Sequence, residues 1–216
     1  MKNINTKKYW DERFSSGDWE DKKGGLQTEG FAISQIKHLD IKKNFSGTLL
    51  DFGCGLGDAF TVYKKAYPKG KLIGMDISEE AIKKCQKHFG NIASFISGTE
   101  IDAPDVDIII SSNVFEHLSN DVVIAKELKK RCKELYIIVP YNENLSHSVC
   151  SEHVNSYDKH SFDEVSGKID IKIFRSKGWG ESNKDLFFKV YLKNIARFLL
   201  RKKVRKKVQQ IMFRIQ

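Results

Sequence analysis

The sequence predicts an α/β protein whose mostly parallel sheet is covered by helices on both faces. Short apolar runs rich in β-branched residues alternate with amphipathic helical runs along the chain, which is the order that builds such a sheet. The first of these runs, LLDF at residues 49–52, ends in an acid and is followed by alternating glycines at 53, 55 and 57. A second run, LIGMD, ends in another acid, Asp76, twenty-five residues after Asp51. Runs this continuously apolar belong to strands buried on both faces. A length of 216 residues suits one domain with a sizeable core plus appendages.

Each element follows from local pattern. Residues 1–40 precede the first strand and carry Tyr9, Trp10, Arg13, Phe14 and Trp19 close together, which suggests a lid or cap segment, with packing on the sheet edge as the plainer use of the aromatics. Strands are expected at Thr48 to Phe52, Lys71 to Asp76, Ala93 to Ser97, Val106 to Ser111, Glu134 to Pro140, Ile169 to Arg175 and Leu186 to Lys193. Helices are expected at Asp58 to Tyr67, Glu79 to Phe89 and Asn120 to Lys133. The second helix has the clearest start: Ser78 is a good N-cap, and Glu79 and Glu80 suit the positive end of the helix. Residues 41–193 form the expected catalytic domain. Residues 194–216 read as a basic amphipathic helix, with Ala196, Leu200, Val204, Val208, Ile211 and Ile215 on one face.

The glycine run has a competitor in the dinucleotide fingerprint G-x-G-x-x-G, and spacing separates them. Asp58 stands where that fingerprint places its third glycine, and an acid at a helix start repels a pyrophosphate. Gly53, Gly55 and Gly57 cost stability in regular structure, so a sharp turn beside a ligand explains them better than packing. With Asp51 at the strand end, the stretch Asp51-Phe-Gly-Cys-Gly-Leu-Gly57 resembles motif I of the class I S-adenosylmethionine-dependent methyltransferases. The resemblance implies a seven-stranded Rossmann-like sheet, doubly wound, with the last strand antiparallel. It places Asp51, Gly53, Cys54, Gly55 and Gly57 around the methionine half of S-adenosyl-L-methionine, and Asp76 with Ile77 at its ribose. It also implies an N-terminal helix that closes over the cofactor, where Arg13 can pair with the methionine carboxylate. Thr99 or Glu100 falls where related enzymes place an acid for the adenine amino group.

A second segment, VDIIISSNVFEHLSN, resembles the family stretch that passes beneath the transferable methyl. Ser112 and Asn113 then sit at the carboxyl end of the strand, the binding edge of open α/β sheets. Glu116 and His117 can reach the cleft, or His117 can be a packing residue. The segment is not of the N-P-P-Y type, so methylation of DNA bases is disfavoured by the resemblance. After the fifth strand, Glu152-His153-Val154-Asn155-Ser156-Tyr157 resembles a segment of small-molecule methyltransferases. His153 can take a proton from an acceptor hydroxyl or can only orient its loop; Tyr141, His147 and Tyr157 are further candidates. Direct displacement at a sulfonium methyl needs no metal, and no metal-ligand spacing is visible.

The net charge of +9 is concentrated at one end. Ten Lys or Arg and no acid lie in residues 186–216, which leaves 27 basic against 28 acidic residues before them, a net of −1. The basic tail suits an anionic membrane surface, a phosphate backbone or plain packing; few aromatics interleave with its charges, which ranks RNA last. Four cysteines without a C-x-x-C pair read as reduced thiols, and neither a signal peptide nor a membrane span is visible, so a cytoplasmic location is expected, with peripheral contact at the inner membrane face. The expected function is methyl transfer to a hydroxyl or amine of a small molecule, such as a glycan or lipid-linked intermediate. An RNA methyltransferase and a non-catalytic cofactor-binding protein are the alternatives.

Overall fold

A computed structural model describes residues 5–147, 152–176, 191–192, 195–200 and 209–216. Three N-terminal helices, α1 (Lys7–Ser15), α2 (Asp18–Asp21) and α3 (Gly24–Gln35), come before the first strand. They are followed by β1 (Thr48–Phe52), α4 (Phe60–Ala66), β2 (Lys71–Asp76), α5 (Glu79–Phe89) and β3 (Ser94–Ser97). The chain then forms β4 (Val106–Ser112), α6 (Asp121–Lys130), β5 (Cys132–Pro140), β6 (Ile169–Arg175) and β7 (Gln209–Ile215). The seven strands lie in the order β3-β2-β1-β4-β5-β7-β6, with β7 antiparallel to both neighbours and all other pairings parallel.

Alternation along the strands divides the core between two faces. Leu49, Ile108, Ile110, Tyr136 and Ile138 pack on one side with Phe60 and Tyr63 of α4 and Cys85 of α5. Leu50, Ile109, Leu135, Ile137 and Val139 pack on the other with Ala125 and Leu128 of α6. The α5 helix has the bounds its capping residues predict, and the Ser78 hydroxyl accepts from the Ala81 N–H at 3.1 Å. The α6 helix stops at Lys130, short of the expected Lys133, because Cys132 already pairs with Val106 in the sheet.

The end of the chain departs from expectation. Of the expected strand from Leu186 to Lys193, residues 186–190 and 193 lie outside the described residues, and Tyr191 and Leu192 are helical. The last strand is β7, so the expected tail helix over 194–216 is corrected: residues 195–199 are helical, 201–208 lie outside the described residues, and 209–215 belong to the sheet. Ile211, Phe213 and Ile215 face the α6 side of the core, while Met212 faces the other. Arg214 sits over the Tyr136 ring and donates to Glu134 (2.8 Å) and Asp40 (2.6 Å). A strand threaded between β5 and β6 has its backbone paired on both sides, and that pairing overrides a helical spacing of apolar residues.

Candidate functional site

The chain leaves β1 toward β2 and β3 on one side and returns to β4 on the other, so β1 and β4 meet where the winding reverses. The carboxyl ends of strands at such a point leave a crevice. Here it is a cleft of about 1060 Å³, reached by the residues that follow β1 to β5.

The turn after β1 is shaped by left-handed glycines. Gly53 has φ +78° and a Cβ there would lie 2.3 Å from Val114; Gly55 has φ +54° and has room for a Cβ, so its backbone angle is the constraint. The Asp76 carboxylate fastens this turn, accepting from the Gly55 N–H at 2.8 Å and the Ser78 N–H at 2.9 Å. Burial pushes Asp76 up to about 6 against those two hydrogen bonds. Asp51 is also buried, and burial together with the charge of Asp76 pushes it up to about 7. No cation or donor compensates the Asp51 carboxyl among the described residues. Gly57 has φ +80°, and a Cβ there would meet Phe89 and Cys85, so its lack of a side chain serves the packing of α5.

The remaining expected cofactor positions, Cys54, Ile77, Thr99, Glu100, Ser112 and Asn113, all line the cleft. The Thr99 hydroxyl and N–H both donate to Asp102, which leaves Glu100 as the acid available there. Asn113 has φ +58° and is held by a chain of amides that local sequence does not reveal. Ser112 Oγ donates to Gln35 (3.0 Å), Gln35 to Gln210 (3.1 Å), and Gln210 to Asn113 Oδ1 (2.8 Å). The chain joins α3, β4 and β7.

Helix α1 lies along the cleft. Asp11 accepts from the Ser78 hydroxyl (2.7 Å) and the Glu80 N–H (3.3 Å), which ties α1 to the start of α5. Arg13 lines the cleft between the Trp10 and Trp19 rings, each 5.5 Å from its guanidinium, and pairs with Glu152, which also accepts from Tyr9 at 2.6 Å. Its Nε is buried without a hydrogen bond.

Glu116, His117, Tyr141, Glu143 and His153 also line the cleft. Both carboxyl oxygens of Glu116 are buried and make no close hydrogen bond; burial pushes the group up to about 8, with the nearby Asn113 side chain acting against the rise. His117 is packed at 5.4 Å against Trp10 and 5.0 Å against His153; burial lowers it to about 4, and its Nδ1 lies 3.1 Å from the Glu152 carbonyl. His153 Nδ1 is 2.5 Å from Glu143 Oε2, and its Nε2 is 4.0 Å from Glu116 Oε1. Tyr157 is buried and its hydroxyl lies 2.7 Å from the Phe115 carbonyl and 2.8 Å from Asp121, so it supports the loop outside the cleft. No spacing along the chain marks Glu116, His117 and His153 as a set. The fold nonetheless brings one potential ligand atom from each within 4.8 Å of the others, where the sequence suggests no metal-ligating group.

A glycine turn over two strand-end acids, at the reversal of a doubly wound sheet, defines a nucleoside-binding α/β protein. Residues 50–134 match the family described as "Methyltransferase domain". Over 71 residues the chain is 35% identical to ribosomal RNA small subunit methyltransferase C of Stutzerimonas stutzeri (strain A1501), 32% of this chain and 21% of that one. The match thus spans about a fifth of the length of that curated relative. The fold is shared with a chain of the complex between the Haloferax volcanii Trm112 methyltransferase activator and a methyltransferase (TM-score 0.70, 15% identity, 95% of this chain and 96% of that chain). The plantazolicin methyltransferase BpumL in complex with S-adenosylhomocysteine (0.60, 18%, 97% and 95%) shares it too. So does an S-adenosylmethionine-dependent methyltransferase from Aquifex aeolicus (0.60, 18%, 91% and 98%). The chain thus carries a match to a methyltransferase domain over residues 50–134 and shares its fold with S-adenosylmethionine-dependent methyltransferases.

Proposed function

We propose that this protein transfers a methyl group to a hydroxyl, or an amine, of a small acceptor that enters the cleft beside His153. The carrying observation is the group formed by Glu116, His153 and Glu143 in the lining of the cleft. The residues present fit the donor. Asp51, buried and uncompensated, suits the cofactor's ammonium; the turn at Gly53–Gly55 allows close backbone approach; Asp76 retains lone pairs for ribose hydroxyls; and Glu100 suits the adenine amino group. When bound, the cofactor supplies a methyl on a sulfonium that is already activated for displacement.

The protein's own work is alignment and exclusion of water. Holding two reactants in line is worth roughly 7 to 11 kcal/mol. Helix α1, fixed by the Arg13–Glu152 pair, covers the cleft with Trp10 and Phe14. With its Nδ1–H directed at Glu143, His153 presents a lone pair on Nε2 and can accept the acceptor's proton as the new bond forms.

The acceptor class is read as a glycan or lipid-linked intermediate handled at the cytoplasmic membrane face. Phe198, Leu199 and Leu200 are exposed apolar residues immediately before six Lys or Arg in residues 201–208. Among the described residues no helix is long and apolar enough to cross a membrane. The same basic run, together with the ribosomal RNA relative, supports RNA as a second reading. Incubation with methyl-labelled cofactor and separated lipid, RNA, protein and small-metabolite fractions decides between them. Label is expected in the lipid or metabolite fraction; label in RNA alone rejects the reading.

A further inference from the structure

We propose that Glu116, His117 and His153 form a binding site for one divalent transition-metal ion of the zinc class at the acceptor end of the cleft. For the ion's chemical use the proposal rests on the methyl-transfer reading; for its binding it does not.

Geometry permits one ion to reach all three groups. Their ligand atoms lie within 4.8 Å of one another, and Glu116 and His153 are 4.0 Å apart. Ligand atoms about 2.1 Å from a tetrahedral ion are roughly 3.4 Å apart, so closing around the ion needs adjustments of about an ångström or less. The carboxylate calls for a cation. Glu116 is 1% exposed, and apart from the Asn113 side chain nothing nearby favours its charged form, so a cation would supply the counter-charge that the fold does not.

Both imidazoles already have the outer contacts of ligating histidines. The Glu152 carbonyl fixes the Nδ1–H of His117, and the Glu143 carboxylate fixes that of His153, which leaves a lone pair on each Nε2. Two imidazole lone pairs and a carboxyl group within 4.8 Å of one another, beside the Asn113 side chain, offer three ligands to a positive centre. Two imidazoles with one carboxylate select zinc, cobalt or a similar ion over calcium or magnesium, which take oxygen ligands. Three protein ligands leave a position for the acceptor oxygen. With the ion present, His153 is a ligand and no longer a base. The ion then lowers the pKa of the coordinated hydroxyl: its O–H bond breaks with the proton passing to water, the O–CH3 bond forms, and the sulfonium S–CH3 bond breaks.

The test is titration of the full-length, chelator-treated protein with cobalt chloride, followed by visible absorption and then by displacement with zinc. One equivalent is expected to produce d–d bands that zinc abolishes. Glu116→Gln and His153→Ala should each weaken binding by about 100-fold, and Glu143→Gln, which takes the charge from the outer contact to His153, by about 10- to 100-fold. His160→Ala, a surface substitution beside Asp163, should leave it unchanged. Melting of each variant in chelator shows which are folded, and Glu143→Gln carries the test if Glu116→Gln does not fold. Absence of stoichiometric bands, binding unaltered in the site variants, or loss of binding in His160→Ala overturns the site. Methyl transfer by a protein that binds no cobalt rejects the site alone, whereas cobalt binding without methyl transfer to any fraction rejects the function alone.

Discussion

A carboxyl group buried at the end of β1 without a cation beside it costs stability whenever it is ionised. Asp51 is ordinary in the unfolded chain, near 3.8, and is pushed up to about 7 in the fold. The sign follows: below the lower value the group is protonated in both states and costs nothing, while above the upper value the folded state carries the full penalty, of order 4 kcal/mol at most. The Asp51→Asn variant should therefore gain stability relative to the parent as pH rises from about 4 to 7, read as a widening difference in Tm. Titration of His117, lowered to about 4 by burial, is common to both proteins and cancels in that difference. A difference that stays flat across the range would show that Asp51 does not carry the buried charge. The same variant should bind cofactor more weakly at pH 8, measured by calorimetry. These residues were legible because motif I is contiguous: Asp51, Gly53 and Gly55 fall in one turn, and Asp76 ends the next strand. Gly57 matches the same motif and yet packs against α5, since spacing cannot tell a glycine that faces a ligand from one that faces a helix.

Helix α1 is held by two different elements along its length. Asp11 caps α5, Lys84 of α5 donates to the Phe14 carbonyl, and Arg13 with Tyr9 grips Glu152 in the loop that carries His153. The last contact joins the cover of the cleft to its acceptor end. Removing the negative charge with Glu152→Gln should free α1 more than it destabilises the sheet. Amide exchange over residues 7–15 should accelerate about 10-fold, the effect of roughly 1.4 kcal/mol, with KM for cofactor raised and Tm little changed. Exchange confined to parent rates would mean that Asp11 and Lys84 hold the helix alone. The aromatic cluster of residues 9–19 pointed to a cover from sequence and Glu152 fell in a family-like segment, but its pairing with Arg13 and the roles of Gln35 and Gln210 did not emerge. Each comes from a separate element and meets the site only through sheet pairing or loop packing, and Glu116, His117 and His153 escaped spacing arguments for the same reason.

At the scale of the whole molecule, the end of the chain is part of the sheet that supports the site. Ala196, Leu200, Val204, Val208, Ile211 and Ile215 recur at helical intervals, while Ile211, Phe213 and Ile215 also recur at the interval of a strand. Local pattern is degenerate here, and pairing with β5 and β6 decides between the two periods. The two halves of this tail should accordingly respond oppositely to substitution. Phe213 is fully buried and meets the Phe162 ring at 4.9 Å, so Phe213→Ala should cost about 3 to 5 kcal/mol, seen as a large fall in Tm. Phe198 and Leu199 are each 73% exposed, so replacing both with Ala should leave Tm within about a degree of the parent. It should instead weaken sedimentation with vesicles containing anionic lipid, which the adjoining basic run strengthens at low ionic strength and which rising salt should reverse. Vesicle binding unchanged by the double substitution, or absent in the parent at low salt, would remove the membrane face from the account and leave β7 as the tail's one assigned role.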